Sequence, residues 1–362
     1  MRAALMHSPG DSALDLRDDV TTVGPDPGEV KIRVRATGVC HSDVSALKGI
    51  LPASIPAVLG HEAAGEVVAV GDLVTSVQPG DHVVLSFVAP CGTCADCLGG
   101  QPYLCLPYTI EAFTKPRFRL GDGSPCFALA GLGAWAEELV VPAAATVKID
   151  NDVPFELAAL LSCAVATGVG AVINTARVEE GASAVVIGAG GIGLSVIQGL
   201  RLAGAATILA VDPVEAKHAT AKRFGATHTA TPDDLDMVKG LLTAGRGFDY
   251  AFEAVGRSAT IKTAWGATRR GGNVVVVGAG AADDMFQVDA FSLLFEGKSI
   301  LSSVYGSSDL RRDVNRFVSL WRAGRLDLES LVTRRIRFED LNDAVLSLDK
   351  GGDMIRQVVL FD

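Results

Sequence analysis

Four cysteines follow one another at the spacing C-x2-C-x2-C-x7-C; they are Cys91, Cys94, Cys97 and Cys105. Thiolates this close in sequence can converge on one tetrahedral metal ion, and four sulfur ligands leave no open position for a substrate. The spacing therefore predicts a structural zinc site. Disulfides and an iron–sulfur cluster are the alternatives. Disulfides are disfavoured because the number of cysteines is odd, seven, and the chain begins without the apolar core of a signal peptide.

A second metal site is open to the remaining cysteines. These are Cys40, Cys126 and Cys163, and two of them with a histidine would complete another zinc site. His61 stands beside Glu62 in the same β-rich part of the chain as Cys40. Taken singly, a buried cysteine is usually a core residue, and a histidine beside a carboxylate is often a structural pair. Their occurrence together with a four-cysteine cluster and a dinucleotide motif favours a metal site.

A glycine-rich motif, G-x-G-x-x-G, lies between an apolar strand, Ala184–Ile187, and a predicted helix, Leu194–Ala203. The first glycine permits a tight turn, the second lets a pyrophosphate approach the backbone, and the third allows close packing of helix and strand. The helix N-terminus attracts phosphates through its free N–H groups and its dipole. The motif alone is a weak indication, and its position strengthens it. The predicted cofactor residues of this loop are Gly188, Gly190, Gly191, Ile192 and Gly193.

The acid that ends the next strand predicts which dinucleotide binds. Asp212 follows the strand Thr207–Val211, where a carboxylate can bind the adenosine ribose hydroxyls. This carboxylate would repel the 2′-phosphate of NADP, and the next residue is Pro213 rather than an arginine. We therefore expect NAD. The alternative is that Asp212 is only a solvated acid at a strand end.

The apolar segments predict an α/β fold with two kinds of region. Short strands separated by turns fill the first 150 residues. Between about Ala184 and Tyr305, apolar strands alternate with helical stretches, as in a doubly wound parallel sheet. An amphipathic helix is predicted near Asp309–Ala323 and a last strand at Gln357–Phe361. The other predicted strands are Val30–Ala36, Ala64–Val70, His82–Phe87, Glu138–Val141, Ala184–Ile187, Thr207–Val211, Tyr250–Glu253, Asn273–Val277 and Ser299–Val304.

The composition restricts the possible partners. A formal net charge of −10 argues against nucleic acid, which requires basic patches. Two uncharged segments, Leu157–Ala176 and Gly181–Leu200, are long enough to span a bilayer. Both are rich in glycine, alanine and serine, and the second contains the glycine motif, so we expect them to be buried in an α/β domain. We therefore expect a small-molecule substrate, no membrane partner and a cytoplasmic location.

In type, spacing and order, these motifs resemble those of the zinc-dependent medium-chain alcohol dehydrogenases over essentially the whole chain. The resemblance implies a GroES-like β-rich catalytic domain and a Rossmann domain with a doubly wound parallel sheet. Residues 1–165 would form the catalytic domain with its structural zinc lobe, residues 166–304 the NAD-binding domain, and residues 305–362 a return segment that completes the catalytic domain. The implied cofactors are NAD and two zinc ions per chain.

The resemblance assigns Cys40, His61 and Cys163 as protein ligands of a catalytic zinc, the Cys2His set known for alcohol dehydrogenase. Zinc lowers the pKa of a bound hydroxyl, and the alcohol can then pass a hydride to the nicotinamide. Asp43 would orient His61 from behind. Glu62 resembles the carboxylate behind the metal that helps ligand exchange.

Further roles follow from the same resemblance. Ser42 would accept the proton of the alcohol, and Thr167 would pack against the far face of the nicotinamide. Relatives carry a histidine three residues after the hydroxyl residue, whereas this chain has Ser45 there. We therefore expect the proton to leave through water or through His41. The additional cofactor contacts implied are His41, Lys217, Arg257 and Arg356.

The third ligand and the residues near it predict the substrate class. Polyol dehydrogenases carry a glutamate in the segment of Cys163, so this cysteine favours the alcohol dehydrogenase branch. Phe87 resembles an aromatic residue that lines the substrate channel, and we expect an apolar or aromatic primary alcohol or its aldehyde. Its expected apolar neighbours are Ile50, Leu51, Leu129 and Leu132. The alternatives are a glutathione-linked formaldehyde dehydrogenase, a nicotinoprotein that uses another electron acceptor, and a metal-free quinone reductase or binding protein.

The oligomeric state is predicted from two segments. The loop from Cys105 to Trp135 resembles that of dimeric relatives in its length. The strand Ser299–Tyr305 could pair with its symmetry mate and so satisfy an open sheet edge. We expect a homodimer.

Overall fold

The structure is a computed structural model that describes residues 1–352 and 354–361. The chain divides into two compact units. The first unit contains Met1–Cys163 and the C-terminal segment from Asp309 onward, and the second contains Ala164–Ser308. Each unit has its own buried apolar core.

The strands of the first unit have two to eleven residues, and those of the second have three to nine. In chain order they are β1 (Ala3–Met6), β2 (Asp15–Arg17), β3 (Thr21–Thr22), β4 (Glu29–Val39), β5 (Ala57–Val58), β6 (Ala63–Val70), β7 (His82–Leu85), β8 (Phe118–Arg119), β9 (Pro125–Ala128), β10 (Glu138–Pro142), β11 (Thr146–Ile149), β12 (Ser183–Ile187), β13 (Thr207–Val211), β14 (His228–Ala230), β15 (Phe248–Glu253), β16 (Thr268–Val276), β17 (Ser299–Ser302), β18 (Val332–Ile336) and β19 (Arg356–Leu360).

The helices are concentrated in the second unit and in the C-terminal segment. They are α1 (His41–Leu47), α2 (Ala95–Leu98), α3 (Leu106–Thr114), α4 (Phe155–Leu161), α5 (Ala164–Gly170), α6 (Gly191–Ala203), α7 (Ala216–Phe224), α8 (Leu235–Thr243), α9 (Ser258–Ala267), α10 (Ala290–Phe295), α11 (Leu310–Arg322) and α12 (Leu341–Asp349). A π-helical turn, Ala171–Ala176, follows α5. Short 3-10 turns lie at Pro102–Leu104, Leu129–Gly131, Ala143–Ala145, Val304–Ser307, Glu329–Leu331 and Phe338–Asp340.

The first unit is built from two mixed sheets. One has the order β2-β1-β5-β9-β8-β3, and the other has the order β11-β7-β6-β4-β19-β18, with β10 also paired to β4. The long strand β4 pairs with β6, β10 and β19, all antiparallel. Because Gln357 of β19 lies opposite Val39 of β4, the C-terminal segment reaches the end of β4 that leads into Cys40.

The second unit contains one parallel sheet, as the strand–helix alternation predicts. Its strand order is β14-β13-β12-β15-β16-β17, and every neighbouring pair is parallel. Counted within the unit this is 3-2-1-4-5-6, the order of dinucleotide-binding doubly wound sheets. The strands β12 and β13 are buried at every position after the first, because a parallel sheet is covered on both faces. The predicted α/β fold class is confirmed.

Several predicted boundaries need correction. The strand predicted from Ser299 to Val304 or Tyr305 ends at Ser302, because Tyr305 and Ser307 adopt left-handed φ angles of 53° and 48° that a strand does not tolerate. The helix predicted from Leu194 begins earlier, at Gly191. The amphipathic helix near Asp309–Ala323 is confirmed as α11, which buries the stripe of Leu310, Val314, Phe317 and Val318.

The apolar segments noted in the sequence do not form a long helix. Within the described residues, no single helix has the length and apolar composition needed to cross a membrane, although the bent pair Phe155–Leu161 and Ala164–Ala176 passes that test together.

Candidate metal centres and dinucleotide site

The loop from Cys91 to Cys105 brings its four cysteine sulfurs together. The Sγ atoms all lie within 4.8 Å of one another, and the Cys91–Cys97 and Cys94–Cys105 pairs are each 4.0 Å apart. Zinc–thiolate bonds of about 2.3 Å in a tetrahedron produce sulfur separations of this size. All seven cysteines lie in the described part of the chain and are free, which removes the disulfide alternative. The four thiols fit one structural zinc.

Backbone hydrogen bonds prepare these thiols to bind a cation. The N–H groups of Thr93 and Cys94 donate to Sγ of Cys91 at 3.5 and 3.3 Å, and that of Cys91 donates to Sγ of Cys105 at 3.3 Å. Hydrogen bonds from Thr93 lower the pKa of Cys91 to about 6. A thiolate is the form that binds a metal, so Cys91 is already suited to binding at neutral pH, whereas burial raises the pKa of Cys97 and of Cys105.

A second group of potential ligands lies buried in the same unit. It consists of Cys40, His61, Glu62 and Cys163, whose ligand atoms all lie within 4.8 Å of one another. Two thiolates and an imidazole form a donor set that suits zinc. The four residues come from three separate segments of the chain, which the fold brings together.

The carboxylate of Asp43 fixes two of these segments. Its Oδ2 accepts a hydrogen bond from the backbone N–H of Cys40 at 3.1 Å, and its Oδ1 accepts one from the N–H of Gly60, also at 3.1 Å. Oδ1 also lies 2.9 Å from Nδ1 of His61. Because Nδ1 is engaged in this way, Nε2 of the ring is left to bind a metal. Asp43 is fully buried and therefore sets the position of both ligand segments.

The third ligand, Cys163, reaches the group through α4. Helix α4 buries Leu157 to Leu161, and the chain then passes through Ser162. The hydroxyl of Ser162 accepts a hydrogen bond from the N–H of Ala63 at 3.1 Å and donates to the carbonyl of His61 at 3.3 Å. This hydroxyl ties the end of α4 to the segment that carries His61. Sequence analysis missed Ser162, since its only signal is that it precedes Cys163.

Glu62 and Arg356 form a buried ion pair beside these ligands. Nη1 of Arg356 lies 3.2 Å from Oε1 of Glu62, and both side chains are almost fully buried. Burial raises the pKa of Glu62 to about 7, against the opposing effect of the guanidinium. Gly38 makes room for the carboxylate, because a methyl group there would lie 2.0 Å from Oε2 of Glu62. Arg356 thus lies beside the buried group of potential metal ligands in the first unit, a position that sequence analysis did not predict.

Charge coupling also shifts the neighbouring pKa values. The hydrogen bond from Cys163 lowers the pKa of Cys40, and the same bond raises the pKa of Cys163. Burial lowers the pKa of His61, but the charge and hydrogen bond of Asp43 together with those of Cys40 outweigh burial and raise the pKa. The thiol of Cys40 is therefore more easily ionised than that of Cys163.

Two aromatic side chains support the histidine segment. The ring of Phe87 packs edge-on against His61, with centroids 5.6 Å apart and planes at 83°. Trp135 is fully buried, and its Nε1 donates to the carbonyl of Gly38 at 3.1 Å. Sequence analysis had singled out Phe87 but not Trp135. Leu132 is fully buried in the core.

Ser42 lies near the metal group, in the first turn of α1. Its Oγ is 3.9 Å from Sγ of Cys40. The adjacent His41 is exposed, and Ser45 is half-buried one turn further along the helix. The two predicted proton carriers, Ser42 and His41, and Ser45, which stands where relatives carry a histidine, therefore belong to one short helix that begins directly after Cys40.

The second unit contains the glycine loop between β12 and α6. Gly188 has φ of 94°, which favours glycine, and a methyl group at Gly193 would lie 1.8 Å from the carbonyl oxygen of Gly188. A methyl group at Gly190 would meet nothing within 4 Å, so this position is open to a ligand. Gly191 and Ile192 form the first turn of α6. The open glycine at a helix N-terminus fits a pyrophosphate.

Asp212 lies beside this loop and is nearly buried. Its Oδ2 accepts a hydrogen bond from the N–H of Ala189 at 2.8 Å, and its Oδ1 accepts one from the N–H of Val214 at 2.9 Å. Nζ of Lys217 is 3.4 Å from Oδ2. The structure therefore brings together Asp212, Lys217 and the glycine loop, which fits an adenosine ribose joined to a pyrophosphate. Of the other predicted contacts, Thr167 is buried in α5, and Arg257 immediately precedes α9.

Two family models match the chain. The model "Alcohol dehydrogenase GroES-like domain" matches residues 26–151, and the model "Zinc-binding dehydrogenase" matches residues 191–320. The first range contains the four-cysteine loop and three residues of the buried group, Cys40, His61 and Glu62, and the second contains α6.

Similar proteins extend along almost the whole chain. "Alcohol dehydrogenase class-3" from Cereibacter sphaeroides is 38% identical over 360 residues, which are 95% of each protein. "S-(hydroxymethyl)glutathione dehydrogenase" from Paracoccus denitrificans is 37% identical over 359 residues, also 95% of each. The crystal structure of benzyl alcohol dehydrogenase from Acinetobacter calcoaceticus has a TM-score of 0.92 at 32% identity and covers 100% of this chain and 99% of that one.

We predict that the two cysteine groups bind one zinc ion each with different consequences. Cys163→Ser should leave about one zinc per chain and a melting temperature near that of the wild type. Cys94→Ser should instead lower the melting temperature, because a structural zinc contributes directly to folding. Metal content by plasma mass spectrometry and thermal unfolding measure both effects. Cys126→Ser is the matched control, since Cys126 is buried outside both groups. Fewer than two zinc ions in carefully purified wild type would contradict the prediction.

Proposed function

Because the chain belongs to the zinc-dependent medium-chain alcohol dehydrogenase family, we propose that it interconverts apolar or aromatic primary alcohols and their aldehydes. As a member of that family it is an NAD-dependent oxidoreductase. The observation that carries the proposal is the buried group of Cys40, His61 and Cys163. Three protein ligands of this type leave a fourth zinc position for a substrate oxygen.

We further propose that the chain forms two domains with different functions. Residues 1–165 and 305–362 form the catalytic domain with its structural zinc lobe, and residues 166–304 form the NAD-binding domain. The two compact units of the fold and the ranges matched by the two family models support this division.

The mechanism assigns a role to each residue near the metal ligands. Cys40, His61 and Cys163 would hold the zinc ion, which would supply Lewis acidity toward the alcohol hydroxyl, and bound NAD would supply the hydride acceptor. Asp43 keeps Nδ1 of His61 engaged, so that the ring holds one orientation. Ser42 takes the proton of the alcohol. Glu62, whose charge faces Arg356 rather than solvent, assists the exchange of ligands behind the metal.

We assign the cofactor contacts from the family resemblance and from the site in the second unit. The glycine loop holds the pyrophosphate, Asp212 and Lys217 bind the adenosine ribose, and Thr167 packs against the nicotinamide. The other proposed contacts are His41 and Arg356 to the pyrophosphate and Arg257 near the adenine.

The substrate proposal depends on the side chains available near α1 and Phe87. A glutathione adduct carries carboxylates, which a binding site normally pairs with cations. Ile50 and Leu51, which follow α1, are apolar, and the cation of this segment, Lys48, is ion-paired with Asp349. This arrangement favours an apolar or aromatic alcohol. The glutathione-linked reaction is the second candidate, because a relative at 37% identity is named "S-(hydroxymethyl)glutathione dehydrogenase".

We also propose a homodimer formed through the second unit. Strand β17 is the edge of the parallel sheet. Large apolar side chains are exposed on the segment before and along it, namely Met285, Phe291, Leu294, Phe295 and Ile300. A second copy would cover them and complete the sheet edge. Sedimentation velocity of the purified chain measures this directly.

We predict that benzyl alcohol is oxidised at least tenfold more efficiently, in kcat/KM, than the adduct of formaldehyde and glutathione. Tenfold corresponds to about 1.4 kcal/mol of differential transition-state binding. NADH absorbance with each substrate at equal enzyme concentration measures the ratio. A ratio in favour of the glutathione adduct would transfer the assignment to the second candidate, and absence of turnover with both would contradict the dehydrogenase proposal for primary alcohols.

Asp212 should make the enzyme prefer NAD over NADP by tenfold or more in kcat/KM. The Asp212→Ser change removes the carboxylate, and combining it with Pro213→Arg adds a cation for the 2′-phosphate. We expect the double variant to shift the NAD/NADP ratio by at least tenfold, about 1.4 kcal/mol. Pro213→Ala is the matched control and should keep the wild-type ratio. Equal efficiency of the wild type with both cofactors would show that the Asp212 argument is wrong.

Ser45 should limit oxidation near neutral pH. With serine in place of the histidine found in relatives, the proton leaves Ser42 through water. Ser45→His should raise the rate of alcohol oxidation at pH 7, because a histidine with a pKa of about 6.5 can accept the proton there. The measurement is the pH profile of kcat/KM for the alcohol. Ser45→Gln, of similar length but without a titrating group, should show no gain.

The competing route through His41 has its own test. A His41→Gln variant that binds NAD normally but loses oxidation near neutral pH would establish His41 as the proton carrier and exclude the water route. Unchanged oxidation in this variant would support the route through water.

A further inference from the structure

A buried carboxylate that the proposed mechanism does not use lies in the second unit, at the end of β15. Glu253 is fully buried, and it stands opposite Ile187, the last residue of β12, in the parallel pair β12–β15. Ile187 directly precedes Gly188 of the dinucleotide loop. Glu253 therefore lies one strand away from the point where the loop begins.

One oxygen of this carboxylate organises the turn that follows β15. Oε1 accepts hydrogen bonds from the N–H groups of Val255 and Gly256 at 2.9 and 2.8 Å. It also accepts one from Oγ1 of Thr260 at 2.7 Å. A carboxylate oxygen that receives three donors within eight residues fixes the backbone of the turn and joins it to the first turn of α9.

The turn held in this way presses against the dinucleotide loop. The N–H of Ala254 donates to the carbonyl of Ile187 at 2.9 Å. A methyl group added at Gly188 would lie 2.8 Å from Cγ2 of Val255. Gly256 has φ of 83°, and a methyl group there would lie 2.5 Å from the carbonyl oxygen of Ala279. The turn therefore has little room to move relative to Gly188.

The second oxygen of Glu253 differs from the first. Oε2 is buried and has no hydrogen-bond partner among the described residues. A buried acceptor without a partner costs free energy. Stability alone therefore does not explain why a carboxylate occupies this position. The three hydrogen bonds to Oε1 all act on the turn, which points to a role in the geometry of the site.

We infer that Glu253 is a positioning residue of the dinucleotide site: through the turn of Ala254 to Gly256 it holds Gly188 in the conformation that receives the pyrophosphate. Glu253 touches neither cofactor nor substrate in this role. The inference rests on the proposed use of NAD, and it adds a residue outside the glycine motif that determines nucleotide affinity.

The test measures nucleotide binding without turnover. Dissociation constants are obtained for NADH by fluorescence and for ADP-ribose by calorimetry, because ADP-ribose contains the adenosine and pyrophosphate but lacks the nicotinamide. Glu253→Ala should weaken both about tenfold. In Glu253→Asp the side chain is shorter by one bond, about 1.5 Å, so the acceptor oxygen lies farther from the turn. This variant should weaken the binding of NADH and of ADP-ribose less than Glu253→Ala does. Glu253→Gln retains an oxygen at the Oε1 position and should restore both constants to within about threefold of the wild type.

Asp249→Ala is the matched control. Asp249 is a carboxylate near the other end of β15, and it is hydrogen-bonded to Ser183 and Arg269. Its removal should lower the melting temperature without weakening nucleotide binding.

Two results would overturn the inference. One is a Glu253→Asp variant with unchanged affinity for ADP-ribose, and this variant serves even if the alanine variant does not fold. The other is that Asp249→Ala loses as much nucleotide affinity as Glu253→Ala while its melting temperature falls by the same amount. Glu253 would then be only a stabilising residue. A wild type that binds neither NADH nor ADP-ribose would instead contradict the proposed function itself.

Discussion

The buried carboxylate of Asp43 is the constraint on which the metal group depends. Its two oxygens accept hydrogen bonds from the backbone at Cys40 and at Gly60, and one of them also engages the His61 ring. A buried charge is costly unless it is paired and hydrogen-bonded. The carboxylate is therefore stable only when both segments are in place. As a result, β4 and β6 must fold together, and this folding also positions Cys40 and His61. Ser162, which precedes Cys163, is hydrogen-bonded to the carbonyl of His61 and to the N–H of Ala63. These two bonds hold Cys163 close to the segment that carries His61.

The second unit uses the same physical means for a different purpose. Asp212 accepts the N–H groups of Ala189 and Val214 and so joins the glycine loop to the end of β13. In both units a buried acid, Asp43 in α1 and Asp212 after β13, joins segments that are distant in sequence through their backbone N–H groups. Backbone donors exist at every residue except proline, so such loops can vary in side chain while their geometry is kept.

How much the sequence could predict depends on whether the deciding contact is local. The four-cysteine spacing and the G-x-G-x-x-G turn are local, and the structure places both as compact groups. The alternation of strands and helices also sufficed for the parallel sheet. The roles of Ser162 and Trp135 depend on contacts across about a hundred residues, which no local pattern reveals. The early end of β17 at Ser302 was not predictable either, because the apolar pattern continues while the backbone turns left-handed at Tyr305.

The pairing of β19 with β4 has a consequence for how the protein is made. Residues synthesised after both β4 and the second unit provide the strand that lies beside β4 and carry Arg356 next to Glu62. The segment Ala164–Ser308 has its complete parallel sheet well before that. During synthesis the second unit can therefore fold first, while the N-terminal part of the first unit keeps an unpaired strand edge until β19 emerges. A messenger truncated before the codons of β19 would yield a nascent chain with a complete parallel sheet in the second unit and an incomplete first unit, a form exposed to edge-to-edge association and to quality-control proteases.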